Sequence, residues 1–158
     1  DLEQYKGIGS AKAITILAAC ELGKRRQKAT VEEAPILNSA ENIYQFMHTT
    51  IQDLDIEDGW VLMMKQNFRL IEAKRISVGG LTMAPVDLRL MMKEVLLKNT
   101  TVLAFCHNHP SGSTNPSRDD DILTSHIHKA CELLHIHFAD HVILTDGGYF
   151  SYREEGKL

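Results

Sequence analysis

This sequence of 158 residues lacks the features that mark secreted, disulfide-stabilised or membrane-spanning proteins. It has only three cysteines, Cys20, Cys106 and Cys131, an odd number without paired spacing, which argues against a disulfide framework. No apolar run approaches the roughly 18 residues that a membrane span needs, and no signal-peptide pattern is present. We therefore expect a cytoplasmic protein without a membrane-spanning segment.

The sequence also contains no internal repeat and no low-complexity tract. Hydrophobic residues make up 44% of it and charged residues 24%, which is typical of a globular protein. The length suits one domain of ordinary size with a small appendage.

Basic residues are scarce in most of the chain but not at its N-terminus. The formal net charge is −4, yet residues 1–28 contain six basic and three acidic side chains. The remaining residues contain eleven basic and eighteen acidic ones. Because phosphate binding needs clustered positive charge, we expect any DNA contact to lie at the N-terminus, and we expect the body to be a poor phosphate-binding surface.

A Gly-x-Gly turn, formed by Gly7 and Gly9, opens the first predicted helix. Such a turn lets the amides at a helix start approach a phosphate closely, and the stretch resembles the second half of a helix-hairpin-helix DNA-binding motif. The first half is missing and there is no initiator methionine, which suggests a piece of a longer protein. A glycine turn that merely starts a packing helix is the alternative. We predict a partial helix-hairpin-helix segment over residues 1–28, a linker over 29–36 and the main domain over 37–158.

Beyond the linker, helical and strand periodicities alternate after an initial hairpin. This order predicts a three-layer α/β/α domain, in which helices cover both faces of a mixed sheet. The predicted helices cover about residues 38–54, 85–98 and 118–134, and the predicted strands cover residues 60–64, 69–78, 101–106, 136–138, 141–145 and 149–152.

The densest cluster of chemically active residues runs from Cys106 to Asp121. His107 and His109 directly follow a buried-strand pattern, and alternate residues of a strand point the same way, so both imidazoles can converge at the strand end. Asp120 comes eleven residues after His109, where a helical pattern begins. Two histidines and one carboxylate are a suitable set of three ligands for a catalytic zinc ion, whose fourth position stays open.

A purely structural reading of these residues stays open at this point. Histidines at strand ends are often only hydrogen-bonded, and Ser117-x-x-Asp120 fits a variant of the capping box that starts a helix. The two roles are compatible, because a cap that fixes the helix start also fixes the carboxylate. Cys106 adjoins the histidines, but on a strand its side chain points away from both, so we expect a core residue.

The string His107-x-His109-Pro110, followed by Ser117-x-x-Asp120, resembles the signature of the JAB/MPN (JAMM) metalloprotease domain. The fuller string His-Asn-His-Pro-Ser-Gly, followed by Pro-Ser-Arg-x-Asp, resembles the RadC family of bacterial proteins within that superfamily. The resemblance implies the layered JAB/MPN fold, which has cytidine-deaminase-like architecture, and a Zn²⁺ cofactor held by His107, His109 and Asp120. It also implies hydrolysis of peptide or isopeptide bonds in an unidentified peptide or protein substrate. RadC proteins are linked by name to DNA repair, with DNA contact expected through the N-terminal segment of the full-length protein.

The resemblance further implies a general base and a hydrogen-bond donor for the reaction. The JAB/MPN pattern places a glutamate just before an early strand, and Glu57 stands there, fifty residues before His107. Glu72, on the following predicted strand, is the rival assignment. Ser117 matches the serine that hydrogen-bonds the developing oxyanion or the attacking water in the superfamily.

Two rival functions have different sequence requirements. A zinc deaminase of related fold needs His-x-Glu and Pro-Cys-x-x-Cys, and neither occurs here, so we exclude that class. A non-catalytic DNA- or protein-binding module on the same scaffold is the serious alternative, although the presence of every motif residue argues against it. A second His-x-His, His135-Ile-His137, is explained by a half-exposed strand. The pair Asp140-His141 matches the RadC pattern but suggests no role.

Overall fold

The computed structural model describes residues 4–5, 9–28, 34–51, 54–78 and 86–158. The chain divides into two compact units, Asp1–Glu33 and Ala34–Leu158. In the first unit, helix α1 spans Ser10–Lys28. Most of the predicted Gly-x-Gly turn falls on residues 6–8 and most of the predicted linker on residues 29–33, which lie outside the described residues.

The second unit contains helices α2 to α4 and strands β1 to β5. In chain order they are α2 (Ala40–Ile51), β1 (Asp58–Met64), β2 (Leu70–Val78), α3 (Leu88–Leu97), β3 (Val102–Asn108), α4 (Arg118–Leu133), β4 (His137–Thr145) and β5 (Gly148–Ser151). The strands form one mixed sheet in the order β2-β1-β3-β4-β5, in which β3 and β4 are parallel and the other neighbours are antiparallel. Among the described helices, none is long and apolar enough to cross a membrane.

Helices cover both faces of this sheet. On one face, α2 packs over alternate residues of β3, which include Ala104 and Cys106. On the other face, α3 and α4 pack over Leu103 and Phe105. All seven residues of β3 are buried, because the strand is central and both of its faces are covered. The predicted three-layer α/β/α architecture with a mixed sheet is therefore confirmed.

Several element boundaries differ from the predicted ones, and those of α3 and β4 differ most. Helix α3 begins at Leu88, because the Asp87 carboxylate accepts hydrogen bonds from the backbone N–H groups of Arg89 and Leu90 and so caps the helix. Pro85, where the helix was predicted to begin, lies outside the described residues. The two strands predicted over residues 136–138 and 141–145 are the single strand β4.

Strand β4 contains a bulge that changes which face its side chains occupy. Opposite the step from Leu103 to Ala104 of β3, β4 has one extra residue. Phe138 belongs to the core under α3 and α4, and His141, three residues later, bonds to a side chain of α4. Strict alternation would place these two residues on opposite faces, so the bulge is what turns His141 toward α4.

Candidate metal centre

His107 and His109 lie at the carboxyl end of β3 and face the side of the sheet that α4 covers. His107 continues the alternate series of Leu103 and Phe105, and its ring stacks on the Phe105 ring with centroids 6.1 Å apart. His109 follows the strand and donates a backbone hydrogen bond of 2.9 Å to the Leu144 carbonyl. The Nε2 atoms of the two imidazoles are 3.0 Å apart. The structure therefore brings both rings together at the strand end.

Asp120 reaches the two histidines from the first turn of α4. Its side chain is only 1% exposed; Oδ1 lies 3.1 Å from His107 Nε2 and Oδ2 lies 3.7 Å from His109 Nε2. One possible ligand atom from each of these residues lies within 4.8 Å of the other two. Oδ1 is buried and makes no hydrogen bond with a donor of the described residues, so a free acceptor points at the two rings.

Ser117 fixes this carboxylate by capping α4. Its Oγ accepts a hydrogen bond of 3.1 Å from the Asp120 backbone N–H. In return, Asp120 Oδ2 accepts from the Ser117 backbone N–H and from the Ser117 hydroxyl, both at 2.7 Å. This is the reciprocal capping box that the spacing allowed. The hydroxyl thus binds the candidate ligand itself, and its contact with an oxyanion or a water stays a prediction.

The loop after His109 determines which nitrogen of that ring carries the hydrogen. Pro110 starts a turn in which the Gly112 N–H donates to the His109 carbonyl at 3.0 Å. Gly112 has φ of +76°, a conformation that glycine adopts without strain. The next residue, Ser113, then presents its carbonyl 2.7 Å from His109 Nδ1. Because a carbonyl can only accept, Nδ1 carries a hydrogen, so in the neutral ring the lone pair lies on Nε2.

A buried chain of hydrogen bonds determines the His107 tautomer in the same manner. Thr124 donates its single hydroxyl hydrogen to the Asp120 backbone carbonyl at 2.6 Å, so its oxygen accepts from His141 Nδ1, also at 2.6 Å. Burial lowers the pKa of His141 well below its usual value, so the ring is neutral and its Nε2 is an acceptor. His107 Nδ1 lies 2.8 Å from that atom and therefore donates to it. In the neutral His107 ring the lone pair therefore lies on Nε2 as well.

Neither Thr124 nor His141 was identified from the sequence. Thr124 follows Asp120 by four residues, which places both on one face of α4, so a signal for it was present. His141 stands in a pair that matches the RadC pattern. However, strict alternation from Phe138 would turn it away from the site, and only the bulge reverses that.

Glu57 lies in the segment before β1, beside the candidate ligands. Together with His107 and Asp120 it lines a cavity of about 10 Å³, roughly the room that one water molecule needs. Glu72, the rival assignment, lies on β2, where it forms a 2.6 Å ion pair with Lys98. Of the two glutamates, the structure places Glu57 in this cavity.

Asn108, between the two histidines, holds the backbone on both sides of Glu57. Its Oδ1 accepts a hydrogen bond of 2.7 Å from the Asp58 backbone N–H. Its Nδ2 donates one of 2.9 Å to the Ile56 carbonyl. The same strand end therefore positions the histidines and the glutamate.

The electrostatics of the site favour a cation beside Asp120. Burial alone would raise the pKa of the Asp120 carboxyl, but its contacts with His107 and His109 outweigh burial and hold the pKa well below the usual range. The contact with Asp120 also raises the pKa of His109, against the lowering effect of burial and with smaller contributions from the Ser113 carbonyl and Glu57. The carboxylate is therefore an anion at physiological pH, enclosed between two rings.

These donors fit a divalent metal ion. The two Nε2 atoms, which have lone pairs in the neutral rings, are 3.0 Å apart, and the buried Oδ1 of Asp120 faces the same space. With both rings neutral, the three acceptors repel one another unless a cation, either a proton or a metal ion, lies between them. Both Nδ1 atoms are hydrogen-bonded, which is the usual arrangement for metal-binding histidines. His107, His109 and Asp120 can therefore bind a metal ion together.

A larger cleft of about 380 Å³ adjoins His109. Its lining combines apolar side chains, such as Leu54 and Leu144, with the carboxylates of Asp55 and Asp146. Among the described residues that line this cleft and the small cavity beside it, none is a lysine or an arginine.

Comparison with known proteins places this arrangement in a family. The family model described as the RadC-like JAB domain matches residues 37–157. The chain is 38% identical over 155 residues to a UPF0758 protein of Flavobacterium johnsoniae, covering 98% of this chain and 68% of that protein. It is 37% identical over 158 residues to a UPF0758 protein of Rubrobacter xylanophilus, covering 100% and 69%. It is 34% identical over 155 residues to one of Porphyromonas gingivalis, covering 98% and 68%. The chain therefore belongs to the RadC-like JAB domain family.

Proposed function

We propose that this chain is a zinc-dependent hydrolase of the JAMM type, which acts on peptide or isopeptide bonds. His107, His109 and Asp120 hold the ion in this proposal, and Glu57 is the general base. The observation that supports it most strongly is the convergence of two imidazole Nε2 atoms and one unpartnered carboxylate oxygen beside a cavity that Glu57 lines.

The donor set favours zinc over the hard divalent cations. Magnesium and calcium prefer oxygen ligands throughout, whereas zinc accepts imidazole and carboxylate together. Catalytic zinc sites typically have three protein ligands, which is the number that converges here. When bound, a zinc ion supplies Lewis acidity that polarises a carbonyl group and lowers the pKa of water to about 7.

In this proposal, Glu57 transfers the proton. It lines the cavity that has room for about one water molecule, and Asn108 holds its backbone on both sides. We assign to Glu57 the removal of a proton from the attacking water and its delivery to the leaving amine. Ser117 holds the Asp120 carboxylate through its hydroxyl, and a further contact of this hydroxyl with the developing oxyanion is part of the proposal.

The charge of the surrounding surface favours an amide substrate over a phosphodiester. Nucleic-acid backbones are bound by lysine and arginine, but the clefts at this site present Glu57, Asp55 and Asp146, and no basic side chain among their described lining residues. A neutral peptide bond has no such requirement. We infer a peptide or protein substrate. A contact with DNA, in keeping with the link of the RadC name to DNA repair, would belong to the basic residues 1–28.

Glu57→Gln tests the proposal directly. The amide keeps the shape of the side chain but cannot accept the proton, and loss of a positioned base costs about 10²–10⁴-fold in rate. We expect zinc content and melting temperature to stay near those of the unmodified chain, while turnover of a panel of peptide and lysine-linked isopeptide substrates collapses. Glu72→Gln is the matched control, because Glu72 lies on β2, where its carboxylate forms an ion pair with Lys98.

Two outcomes would contradict this proposal. Full turnover by Glu57→Gln, with turnover lost in Glu72→Gln, would move the general base to β2. A zinc-loaded chain that cleaves no member of the panel would favour the alternative function, a non-catalytic module that binds protein or DNA.

A further inference from the structure

We propose that His141 and Thr124 are positioning residues of the metal centre, because together they hold His107 in the tautomer whose Nε2 lone pair faces the ion. This inference rests on the metal site of the proposed function and not on hydrolysis. It assigns a role to two buried polar residues that are not ligands themselves.

Hydrogen bonds connect His107, His141, Thr124 and the Asp120 backbone carbonyl in series, and that carbonyl sets the direction of each bond. The Asp120 backbone carbonyl cannot donate, so the Thr124 hydroxyl must give it the only hydrogen it has. The His141 ring is 0% exposed and its hydrogen-bond partners, Thr124 and His107, include no carboxylate, so it is neutral. The hydroxyl oxygen can then only accept from His141 Nδ1, and His141 Nε2 can only accept from His107 Nδ1. The hydrogen of the Thr124 hydroxyl thus determines the tautomer of both imidazoles, His141 and His107.

The opposite direction would prevent metal binding. If His141 carried its hydrogen on Nε2, it would donate to His107 Nδ1, and the remaining hydrogen of His107 would lie on Nε2. That hydrogen would occupy the position where the lone pair now faces His109 and Asp120. Thr124 therefore selects the state in which His107 can act as a ligand.

Both side chains of this hydrogen-bond series are buried, and an aromatic ring fixes the plane of His141. His141 is 0% exposed and Thr124 is 3% exposed. The Tyr152 ring lies parallel to the His141 ring, with an interplanar angle of 4° and centroids 4.8 Å apart, and so fixes its plane. In Thr124→Val a methyl group occupies the place of the hydroxyl, so His141 Nδ1 loses its acceptor.

This series of hydrogen bonds also links two of the candidate ligands, Asp120 and His107. Asp120 contributes its carboxylate to the metal site and its backbone carbonyl to this series of hydrogen bonds. From that carbonyl the hydrogen bonds run through Thr124 and His141 to His107, whose Nε2 lies 3.1 Å from Asp120 Oδ1. His109 differs, since the backbone carbonyl of Ser113 sets its tautomer and no side chain is needed.

Four variants of the full chain test the inference. Thr124→Val keeps the shape of the side chain but removes the hydroxyl, whereas Thr124→Ser retains it. His141→Leu removes the acceptor for His107 Nδ1. Ile127→Val is the packing control, because Ile127 is fully buried on α4 and has no hydrogen-bonding side chain.

The first measurement uses metal-free protein. Long-range ¹H–¹⁵N spectra of labelled histidine show which ring nitrogen carries the hydrogen. We expect hydrogen on Nδ1 and not on Nε2 of His107 in the unmodified chain, in Thr124→Ser and in Ile127→Val. In Thr124→Val and His141→Leu, we expect a mixture of both tautomers.

The second measurement is the affinity for Zn²⁺, obtained by competition with a chromophoric chelator. Loss of a residue that orients a ligand typically weakens metal binding about 10–100-fold, and we expect a loss of this size in Thr124→Val and His141→Leu. Thr124→Ser and Ile127→Val should bind nearly as tightly as the unmodified chain.

Hydrogen on Nε2 of His107 in the unmodified chain would overturn the inference. Unchanged zinc affinity in both Thr124→Val and His141→Leu would also overturn it. If the unmodified chain binds no zinc, the proposed function fails, while the spectra of the metal-free protein still decide whether Thr124 and His141 set the tautomer.

Discussion

At the scale of single residues, Asp120 connects more parts of the candidate site than any one of its neighbours. Its carboxylate faces both imidazoles, its Oδ2 accepts from Ser117, and its backbone carbonyl accepts from Thr124. It is also the one anion among the three candidate ligands. The charge balance of a divalent ion in this site therefore depends on it.

We expect Asp120→Ala to abolish metal binding rather than to weaken it slightly, because only two neutral imidazoles would remain. Elemental analysis of protein purified without chelator should give about one zinc per chain for the unmodified protein and almost none for the variant. Asp119→Ala is the control, since Asp119 is an exposed neighbour in the same helical turn. Equal zinc in the Asp120 variant and the unmodified chain would show that this ligand set is wrong.

The three cysteines differ in burial, which predicts their reactivity. Cys106 and Cys131 are fully buried, whereas Cys20 is exposed. Burial raises the pKa of Cys106, and it raises the pKa of Cys131 to about 12. We expect thiol reagents to label Cys20 quickly and the other two only after unfolding, because the thiolate is the reactive form. Mass spectrometry after timed labelling measures this difference.

The same burial predicts a loss of stability in alkali. Above pH ~8.5 the two thiols ionise in the unfolded chain but stay protonated in the folded chain. The unfolded state then binds fewer protons, so the free energy of unfolding falls as the pH rises from that value toward the raised pKa values. Urea unfolding at increasing pH should show this decline. Rapid labelling of Cys106 or Cys131 in native protein would contradict their placement.

At the scale of elements, the first turn of α4 is both a helix cap and part of the candidate metal centre. Ser117 caps α4 and holds Asp120, whereas Ser39 caps α2 by accepting from the Asn42 backbone N–H at 3.1 Å and touches none of the candidate ligands. Comparing variants of these two serines therefore separates the effect of a lost helix cap from an effect on metal binding.

We expect Ser117→Ala and Ser39→Ala each to lower the free energy of unfolding by about 1 kcal/mol, the usual cost of a lost cap. Only Ser117→Ala should also lower zinc affinity, by about 10-fold or more, because the Asp120 carboxylate loses the hydroxyl that holds it. Urea titration and chelator competition measure the two effects. Equal zinc affinity in both variants would show that Ser117 caps the helix but does not support metal binding.

At the scale of the whole molecule, both hydrophobic cores, the sheet and the candidate metal centre belong to the unit Ala34–Leu158. The basic excess belongs to residues 1–28. Deleting residues 1–33 therefore separates the layered domain and its candidate metal site from the positively charged segment, so that each can be tested.

A protein that begins at residue 34 should keep the melting temperature and zinc content of the full chain. Removing residues 1–33 should also change the affinity for duplex DNA little, because the segment offers about one phosphate site and non-specific binding needs several neutralised phosphates. Circular dichroism, elemental analysis and fluorescence anisotropy with a labelled duplex measure these properties. Tight, salt-sensitive binding that disappears with residues 1–33 would make the segment a DNA-binding element.

The sequence by itself determined the layers of the fold and the three side chains that converge at the candidate metal centre. Helical and strand periodicities are local properties, and two histidines spaced by two at a strand end must point the same way. Ser117-x-x-Asp120 specified where α4 begins, because the capping box is a contact between near neighbours in the chain. These features need no knowledge of how the strands are aligned.

The tertiary structure alone decided which residues support those side chains. His141 faces the site only because β4 has an extra residue opposite β3, and strand register is not contained in the periodicity of either strand. The bonds from Asn108 to the segment around Glu57 join residues about fifty positions apart. A hydrogen bond of that kind depends on the pairing of β1 with β3, so only the assembled sheet determines it.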